Sequence, residues 1–324
     1  MSKIVEDLFN IMSSWNESIH HCNWIGITCN IFVGRVVHLS LEQLGVGGTL
    51  TPFISNLTFL NTLNLLNNSF HGEFPHEVGR LFYLQHLNFS YNNFGGSLPS
   101  NLSHCTKLEV LATGANNLTV PSSIYNISSL YYFTFTQNHL HGNLPADVGF
   151  TLPNIKVFAG AVNNLIGFVP ASLLNNASKL EILDFSLNGL TGTLPKNLRV
   201  LNSSNGIHGN IPVGIGNLAN LTLIALEGNR LTDSLPYSLG TLPAQVSKLH
   251  SLGELMLSEN NFSGVIPSSL GRCISLEKLH LDGNSFEGNI PQTLQNLRAF
   301  LDIDRSRNTC LVPMKSRRLV ASRE

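Results

Sequence analysis

Apolar and polar residues alternate in short runs that recur along most of the chain. In "LEKLHLDGN" (276–284), Leu276, Leu279 and Leu281 are separated by polar or small residues. Because side chains alternate across a β-strand, this spacing predicts a short strand with inward leucines and outward polar residues. The following segment, "QTLQNLRAF" (292–300), has leucines three residues apart. We expect it to return along the outer face as a short helical turn.

An asparagine closes each run, and its spacing defines a repeat. The spacing is 24 residues within two sets of three: Asn68, Asn92 and Asn116, and then Asn260, Asn284 and Asn308. Glycine and proline follow at fixed offsets, as in "NSFEGNIP" (284–291). We expect the chain to turn after the asparagine, because Gly288 permits a turn and Pro291 ends any strand ladder there. A period in the twenties with this order of residues is typical of leucine-rich repeats. We predict an α/β repeat fold, a curved leucine-rich-repeat solenoid with a concave parallel β-sheet and buried asparagines that bond to backbone groups.

The repeat register breaks twice. Asn188 and Asn205 are only 17 residues apart, whereas Asn229 and Asn260 are 31 apart. An outer-face segment is missing near 195–205, and two such segments run together near 236–252. A native insertion would not duplicate the proline half of a repeat. We therefore attribute both breaks to lost sequence or a mis-joined gene model.

The composition excludes several classes of protein. The formal net charge is −1 and 12% of residues are charged, which disfavours a nucleic-acid binder. The 43% hydrophobic content disfavours a disordered chain. We find no apolar run of about 18 residues that would span a membrane. The N-terminus "MSKIVEDLFNIMSSW" is interrupted by Glu6 and Asp7, so it does not read as a signal peptide.

The five cysteines fall into different contexts. Cys22 and Cys29 lie near the two tryptophans, whereas Cys105 and Cys273 occupy equivalent positions in distant repeats. Equivalent positions in distant repeats cannot bridge, so we predict that these two are small buried hydrophobes. The odd count leaves at least one thiol unpaired, and Cys310 has no evident partner.

The form G-x-[IL]-P after the asparagine is that of plant-type repeats. "SSWNESIHHCNWIGITC" (13–29) resembles the cysteine-paired N-terminal cap of plant leucine-rich-repeat receptor kinases, and "GTLTPFISNLTFL" (48–60) is similar to their first repeat. The resemblance covers roughly residues 10–308 and is closest to the immune-type receptors with large ectodomains. It implies a cap at 1–34 with a Cys22–Cys29 disulfide, a solenoid at 35–308 of about 11 to 12 repeats, and an irregular basic tail at 309–324.

The resemblance also implies a function. Such an ectodomain binds a peptide or protein on its concave face in signalling or defence, and recruits a co-receptor kinase. The kinase strings V-A-I-K, H-R-D and D-F-G are absent from this chain, so we expect no enzyme activity and no cofactor. The parent receptor would lie at the extracellular face of the plasma membrane. Alternatives are a secreted binder similar to polygalacturonase-inhibiting proteins, and a truncated, non-functional product of a receptor serine/threonine kinase gene.

Three strings suggest other chemistry and are disfavoured. "GIGNLA" (214–219) matches a dinucleotide fingerprint but falls in the outer segment of a repeat. "HHC" (20–22) with Cys29 does not have the spacing of a common zinc site, so we favour a cap disulfide there. We expect Asp302 and Asp304 to face opposite sides of a short strand, so in our interpretation they do not form a catalytic pair.

Two sets of surface residues remain as candidates. The predicted ligand-face residues are Tyr91, Tyr131, Tyr132, Thr134, Thr136 and Gln137, followed by an acidic group at Glu227, Glu254, Glu259, His280 and Asp282. Tyrosines on a rigid sheet are good anchors, and the acidic group would suit a basic peptide. The predicted N-glycosylation sites are Asn16, Asn56, Asn67, Asn88, Asn101, Asn117, Asn126, Asn176, Asn220 and Asn261, whereas the sequon at Asn202 is expected to be buried.

Overall fold

The computed structural model describes residues 3–176, 179–180, 182–192, 205–211, 223–238, 252–297 and 302–312. The chain divides into two compact units. The first contains Met1–His141 and Pro145–Asn164, and the second contains Gly142–Leu144 and Leu165–Glu324. Strands β12 (His141–Asn143) and β14 (Asn164–Gly167) include the residues at which the units divide.

The leucine runs of the first unit form its main sheet, as predicted. In spatial order its strands are β13 (Val157–Ala159), β11 (Tyr132–Thr134), β9 (Val110–Ala112), β7 (His86–Asn88), β5 (Thr62–Asn64), β3 (Val36–Ser40) and β2 (Ile27–Cys29). All neighbours are parallel except β2 and β3, which form an antiparallel pair within the cap. Leu63 pairs with Leu87 and Leu87 with Leu111, so equivalent residues of successive repeats stack in register.

A second sheet follows the asparagines, where the sequence indicated only a turn. Its order is β10 (Asn117–Thr119), β8 (Asn93–Ser97), β6 (Ser69–Glu73), β4 (Val46–Thr49) and β1 (Lys3–Asp7). Strand β1 runs antiparallel to β4 and closes that edge. These segments lack an alternating pattern, and their backbone groups find partners only in the neighbouring repeat. The expectation of a simple turn was therefore wrong.

The outer segments are short helices, as the leucine spacing indicated. In the first unit the 3-10 helices are Ile11–Ser14, His21–Asn23, Pro52–Asn56, His76–Arg80, Ser100–His104 and Ser122–Asn126, and α1 is Val148–Thr151. Pro75, Pro99 and Pro121 each immediately precede one of them in an extended conformation. Proline fixes φ and lacks an N–H, so it separates the second strand from the helix that follows.

Asparagine side chains hold the interior together. In the first unit the Nδ2 of Asn92 donates to the carbonyls of Leu65 at 2.8 Å and Phe89 at 3.0 Å, while its Oδ1 accepts from the amide of Phe70 at 2.9 Å. Asn92 is only 8% exposed. The predicted role of the asparagine in bonding buried backbone groups is therefore confirmed at this position.

The second unit repeats the same plan. Its elements are α2 (Ala171–Asn176), β15 (Ile182–Asp184), β16 (Gly189–Leu190), β17 (His208–Gly209), β18 (Leu223–Ala225), β19 (Arg230–Leu231), β20 (Glu254–Met256), β21 (Ser263–Val265), the 3-10 helix Ser268–Arg272, β22 (Lys278–His280), β23 (Ser285–Asn289), the 3-10 helix Gln292–Asn296, β24 (Asp302–Asp304) and β25 (Cys310–Val312). Strands β18, β20, β22 and β24 are parallel neighbours in that order, and β21, β23 and β25 form another sheet. Asn284 bonds to the carbonyl of Leu257 at 2.9 Å, as Asn92 does to Leu65.

The predicted register breaks and the predicted start of the C-terminal tail can be compared with the structure only in part. Both register breaks fall largely at 193–204 and 239–251, which lie outside the described residues. The irregular tail was predicted from 309, but Cys310–Val312 form β25 and pair with β23. The repeat pattern therefore continues past that boundary, because β25 is the second strand that follows Asn308.

Candidate functional site

The candidate site is the set of outward side chains on the leucine strands. We call this surface the first strand face in the first unit (β3 to β13) and the second strand face in the second unit (β18 to β24). Tyr132 and Thr134 illustrate the geometry, since they flank Phe133, which is completely buried. Tyr132 is in register with Val110 on one side and Val157 on the other.

The first strand face carries the tyrosine and threonine candidates. Tyr131 is 37% exposed and Tyr91 is 61% exposed, while Tyr132, Thr134 and Thr136 are half-buried. Gln137, the next candidate, is exposed. All six predicted residues of this group are therefore at least partly accessible, with Tyr132 and Thr134 on β11 and the other four in the segments that flank β7 and β11.

A shallow trough lies between two of these rows. Strand β9 and the residues after it present Val110, Ala112, Gly114 and Ala115, and Glu109 immediately precedes the strand. The row before has His86, Asn88 and Tyr91, and the row after has Tyr132, Thr134, Thr136 and Gln137. Because adjacent strands are about 4.8 Å apart, these two rows stand roughly 10 Å apart, enough for one extended chain between them. The sequence analysis missed the trough, although the small residues of "VLATGA" (110–115) signal it.

The left-handed backbone conformation of the residue before the repeat asparagine was not predicted from the sequence. Wherever the structure describes the residue before a repeat asparagine, that residue has a positive φ, including Tyr91 at 57°, Gln137 at 57° and Glu259 at 54°. This conformation is unfavourable for side chains with a Cβ, and Asn and Gly tolerate it best. Asn67 at 53° and Gly283 at 63° occupy the same position, and their residue types are the signal that could have revealed it.

The second strand face carries the acidic candidates, most of them in ion pairs. Lys278 Nζ lies 2.9 Å from Glu254 Oε1, and His280 Nε2 lies 3.1 Å from Asp302 Oδ2. Arg307 pairs with Asp282 at 3.0 Å and also with Glu259. The hydrogen bond from Lys278 to Glu254, followed by the charge of Glu254, raises the pKa of Lys278 above its usual value.

An acidic surplus remains on the second strand face. Among the residues of this face that the structure describes, two permanent cations, Lys278 and Arg307, form ion pairs within a group of five carboxylates, those of Glu254, Glu259, Asp282, Asp302 and Asp304. Asp302 and Asp304 flank the buried Ile303 on the same side of β24, so the expectation that they face opposite sides was wrong, because residues two apart in a strand share a face. Glu227, the remaining acidic candidate, is half-buried. The sequence analysis named the acids and missed both cations, because Arg307 lies two repeats beyond Glu259.

The predicted glycosylation sites differ in accessibility. Exposed positions are Asn16, Asn56, Asn67, Asn117, Asn126 and Asn261, and half-buried positions are Asn88 and Asn101. Asn101 Nδ2 donates to the carbonyl of His76 at 2.8 Å. The side chain of Asn176 and all of Asn202 and Asn220 lie outside the described residues. Glycosylation stays a prediction at every site.

The cap is fixed by its cysteines and tryptophans. Cys22 and Cys29 form a disulfide with an S–S distance of 2.03 Å, so Cys22 is not a thiolate ligand beside His20 and His21. The rings of Trp15 and Trp24 stack with centroids 5.3 Å apart. Cys105 and Cys273 are free and buried in their repeats. Burial raises the pKa of each of these two thiols to about 11.

Family matches agree with this architecture. Residues 2–30 match the leucine rich repeat N-terminal domain. Residues 83–105, 179–201, 251–273 and 275–297 match the leucine rich repeat. All of these matches are to leucine-rich repeats and their N-terminal cap. Among the residues that the structure describes, no helix is long and apolar enough to cross a membrane.

Similar proteins include plant receptors. The LRR receptor-like serine/threonine-protein kinase EFR of Arabidopsis thaliana is 47% identical over 72 residues, which is 22% of this chain and 7% of EFR. The ectodomain of GASSHO1/SCHENGEN3 from Arabidopsis thaliana, solved in complex with CASPARIAN STRIP INTEGRITY FACTOR 2, is 31% identical with a TM-score of 0.74. That match covers 91% of this chain and 42% of the ectodomain.

The fold is shared with proteins of other function. A plant ice-binding protein is 26% identical with a TM-score of 0.67, and the match covers 94% of this chain and 90% of that protein. A common fold does not determine function, so the function must be argued from the strand faces themselves. The chain spans less than half of the receptor ectodomain it matches. It is a leucine-rich-repeat solenoid with a plant-type N-terminal cap, similar in sequence and fold to the ectodomains of plant receptor kinases.

Proposed function

We propose that the first strand face binds an extended peptide or protein segment, and that the chain acts by recognition rather than catalysis. The observation that carries this proposal is the trough over β9, with its floor of Ala112 and Ala115 and its walls at Tyr91 and Tyr132. Aromatic side chains on a rigid sheet provide contact area at a small cost in entropy.

The electrostatics of the first strand face suit an uncharged or weakly charged segment. Every ion pair given above lies on the second strand face. The residues that border the trough are tyrosine, threonine, asparagine and glutamine together with one histidine, His86, and Glu109 is the one carboxylate at the end of the floor. Hydroxyl and amide groups can form hydrogen bonds to the main chain of a ligand, and no charged side chain has to lose its water in the process. The acidic surplus of the second strand face favours a partner with basic side chains there.

The biological setting we propose follows the receptors that the chain resembles. The chain would serve as ligand-binding ectodomain sequence of a receptor kinase in signalling or defence. It would act at the extracellular face of the plasma membrane, with a co-receptor kinase recruited after binding. The complex of GASSHO1/SCHENGEN3 with CASPARIAN STRIP INTEGRITY FACTOR 2 supports a ligand-binding role. The buried apolar interior and the disulfide-linked cap support a rigid scaffold for such a surface.

The test uses a random 12-residue peptide library displayed on phage and selected on the purified chain. We expect selected peptides to bind the Tyr132→Ala variant more than about tenfold more weakly, as for an interface anchor. The matched control is Tyr83→Ala, which removes a tyrosine that is 48% exposed outside the strand face. Equal affinity of the peptides for Tyr132→Ala and the unsubstituted chain would contradict the proposal, as would selection of no saturable binder.

A further inference from the structure

A cavity of about 450 Å³ lies between the cap and the first outer segment. Its apolar lining includes Ile27, Val36 and Leu57, and its aromatic lining includes Trp24 and Phe59. Small-molecule sites occupy cavities of about 300–1,000 Å³ with such linings and few polar groups. The size and lining of this cap cavity are therefore those of a ligand site, on a surface separate from the trough.

One wall of the cap cavity is held in a defined conformation. The turn after the disulfide is closed by Asn30, whose Oδ1 accepts from Phe32 at 2.9 Å and Val33 at 3.2 Å. The amide of Gly34 donates to the carbonyl of Asn30 at 2.9 Å, and Asn30 in turn donates to the carbonyl of Arg35 at 2.8 Å. Val33, Gly34 and Arg35 all line the cavity. These hydrogen bonds are all within the chain, and a wall that is held by internal bonds lowers the entropic cost of binding.

The permanent charge of the cap cavity comes from Arg35, and the other titratable side chain in its lining is His21, whose Nε2 lies 3.3 Å from the carbonyl of Gly34. The guanidinium carbon of Arg35 lies 5.8 Å from the centroid of Phe59, and this arginine makes no ion pair with any residue that the structure describes. No aspartate or glutamate belongs to the described lining. An anionic group could therefore bind Arg35 without displacing an internal partner, while the apolar part of the same molecule contacts Trp24 and Phe59.

We propose that the cap cavity binds a small organic anion, with an aromatic or apolar body in the cavity and a carboxylate or sulfonate on Arg35. This assignment does not depend on peptide binding at the trough. Lys107 provides a control for Arg35, because it is also a cation over an aromatic ring. It lies 4.6 Å from the ring centroid of Tyr83, which makes it a second cation–π pair, but it does not line the cavity.

The experiment compares two fluorescent probes that differ in one charge. The anionic probe is 1-anilinonaphthalene-8-sulfonate, and the neutral probe is N-phenyl-1-naphthylamine. Arg35→Gln is expected to raise the dissociation constant of the anionic probe about tenfold and to leave that of the neutral probe unchanged. Lys107→Gln, the matched control, should change neither. Because Asn56 lines the cavity within the sequon Asn56-Leu57-Thr58, the chain is measured before and after enzymatic removal of glycans.

A filling variant locates the binding site independently. Val33→Trp adds bulk to the wall of the cavity and should weaken both probes, with the circular dichroism spectrum unchanged. Four results would overturn the proposal: no saturable binding of the anionic probe, equal effects of Arg35→Gln and Lys107→Gln, an Arg35→Gln loss that is the same for both probes, or unchanged binding in a folded Val33→Trp variant. None of these results bears on peptide binding at the trough.

Discussion

The side-chain Oδ1 of Asn92 accepts a hydrogen bond of 2.9 Å from the backbone amide of Phe70, a residue 22 positions earlier in the chain. The Nδ2 of the same Asn92 side chain donates hydrogen bonds to the backbone carbonyls of Leu65 and Phe89. One side chain therefore satisfies backbone groups of its own repeat and of the preceding one. This arrangement makes the stability of the first unit depend on single polar residues.

Asn92→Ala should strongly destabilise the first unit. The substitution leaves the amide of Phe70 without its side-chain acceptor, while the carbonyls of Leu65 and Phe89 keep one donor each, from Asn68 and Asn116. The loss of these three bonds should cost about 1–3 kcal/mol. Urea unfolding followed by circular dichroism measures the loss. The control is Asn93→Ala, at an exposed neighbouring position, which should shift stability by less than about 0.5 kcal/mol. Equal losses for the two variants would show that the buried amide is not special.

Val162→Asn should stabilise the first unit. Val162 has φ 55° and is 41% exposed, so a β-branched residue sits in a left-handed conformation with little packing to compensate. Asparagine tolerates that conformation better, and we expect a gain of about 1 kcal/mol in the free energy of unfolding. Val157→Asn, in the middle of the same repeat on β13, should be neutral or destabilising. A loss of stability in Val162→Asn would contradict the strain argument.

Gly283→Ala should break the ion pair between Glu259 and Arg307, because the Glu259 carboxylate lies against Gly283. A Cβ at this position would lie 2.5 Å from Glu259 Oε1, so the carboxylate that pairs with Arg307 must move away. Gly34→Ala is the matched control, because Gly34 has φ 62° against 63° for Gly283, and open space where its Cβ would lie.

The two alanine variants separate backbone strain from the ion pair. Gly34→Ala should cost about 1 kcal/mol through φ alone. Gly283→Ala should cost up to about 1 kcal/mol more, because an exposed pair contributes little. The difference in stability loss between Gly283→Ala and Gly34→Ala should vanish in a Glu259→Ala background and in about 1 M salt. A difference that persists in that background would assign the cost to something other than Glu259.

The buried thiols should be unreactive in the folded chain. Burial raises the pKa of Cys105 and Cys273 from 9.0 to about 11, so the reactive thiolate is scarce near neutral pH. The folded state holds these protons more tightly than the unfolded state. Their contribution to stability is therefore complete below pH 9 and is lost as the pH rises through about 11.

Iodoacetamide labelling with peptide mass spectrometry checks this prediction. At pH 8 neither Cys105 nor Cys273 should be modified without denaturant, and both should be modified in urea. Cys22 and Cys29 should require a reductant in both conditions, because they are joined. Rapid labelling of Cys105 in the native chain would contradict its buried environment.

The sequence determines the parts of the fold that depend on local pattern. The inward leucines, the buried asparagines and the outer helices each follow from residues within one repeat, such as Leu279, Leu281 and Asn284. The second sheet does not, because a segment such as Ser285–Asn289 pairs only with equivalent segments of neighbouring repeats. The left-handed position before each asparagine was hidden because residues as different as Tyr91, Val162 and Gly283 occupy it.

The candidate site was predictable in location but not in chemistry. Alternation places Tyr132 and Thr134 outside any strand whose core residue is Phe133. The partners of the acidic residues were not predictable, since Arg307 reaches Glu259 across Gly283 and an entire repeat. The cap cavity was likewise hidden, because it combines residues from the disulfide-linked cap with residues from the first repeat.

The position of a bound peptide tests the central claim, recognition by the first strand face, most directly. A photo-crosslinking p-benzoylphenylalanine is placed at Thr134 on β11 in one variant, and at Ser122 on the outer 3-10 helix of the preceding repeat in the other. We predict that a peptide selected on the unsubstituted chain crosslinks to the Thr134 variant and not to the Ser122 variant. Crosslinking at Ser122 alone would place recognition on the outer surface and contradict the account.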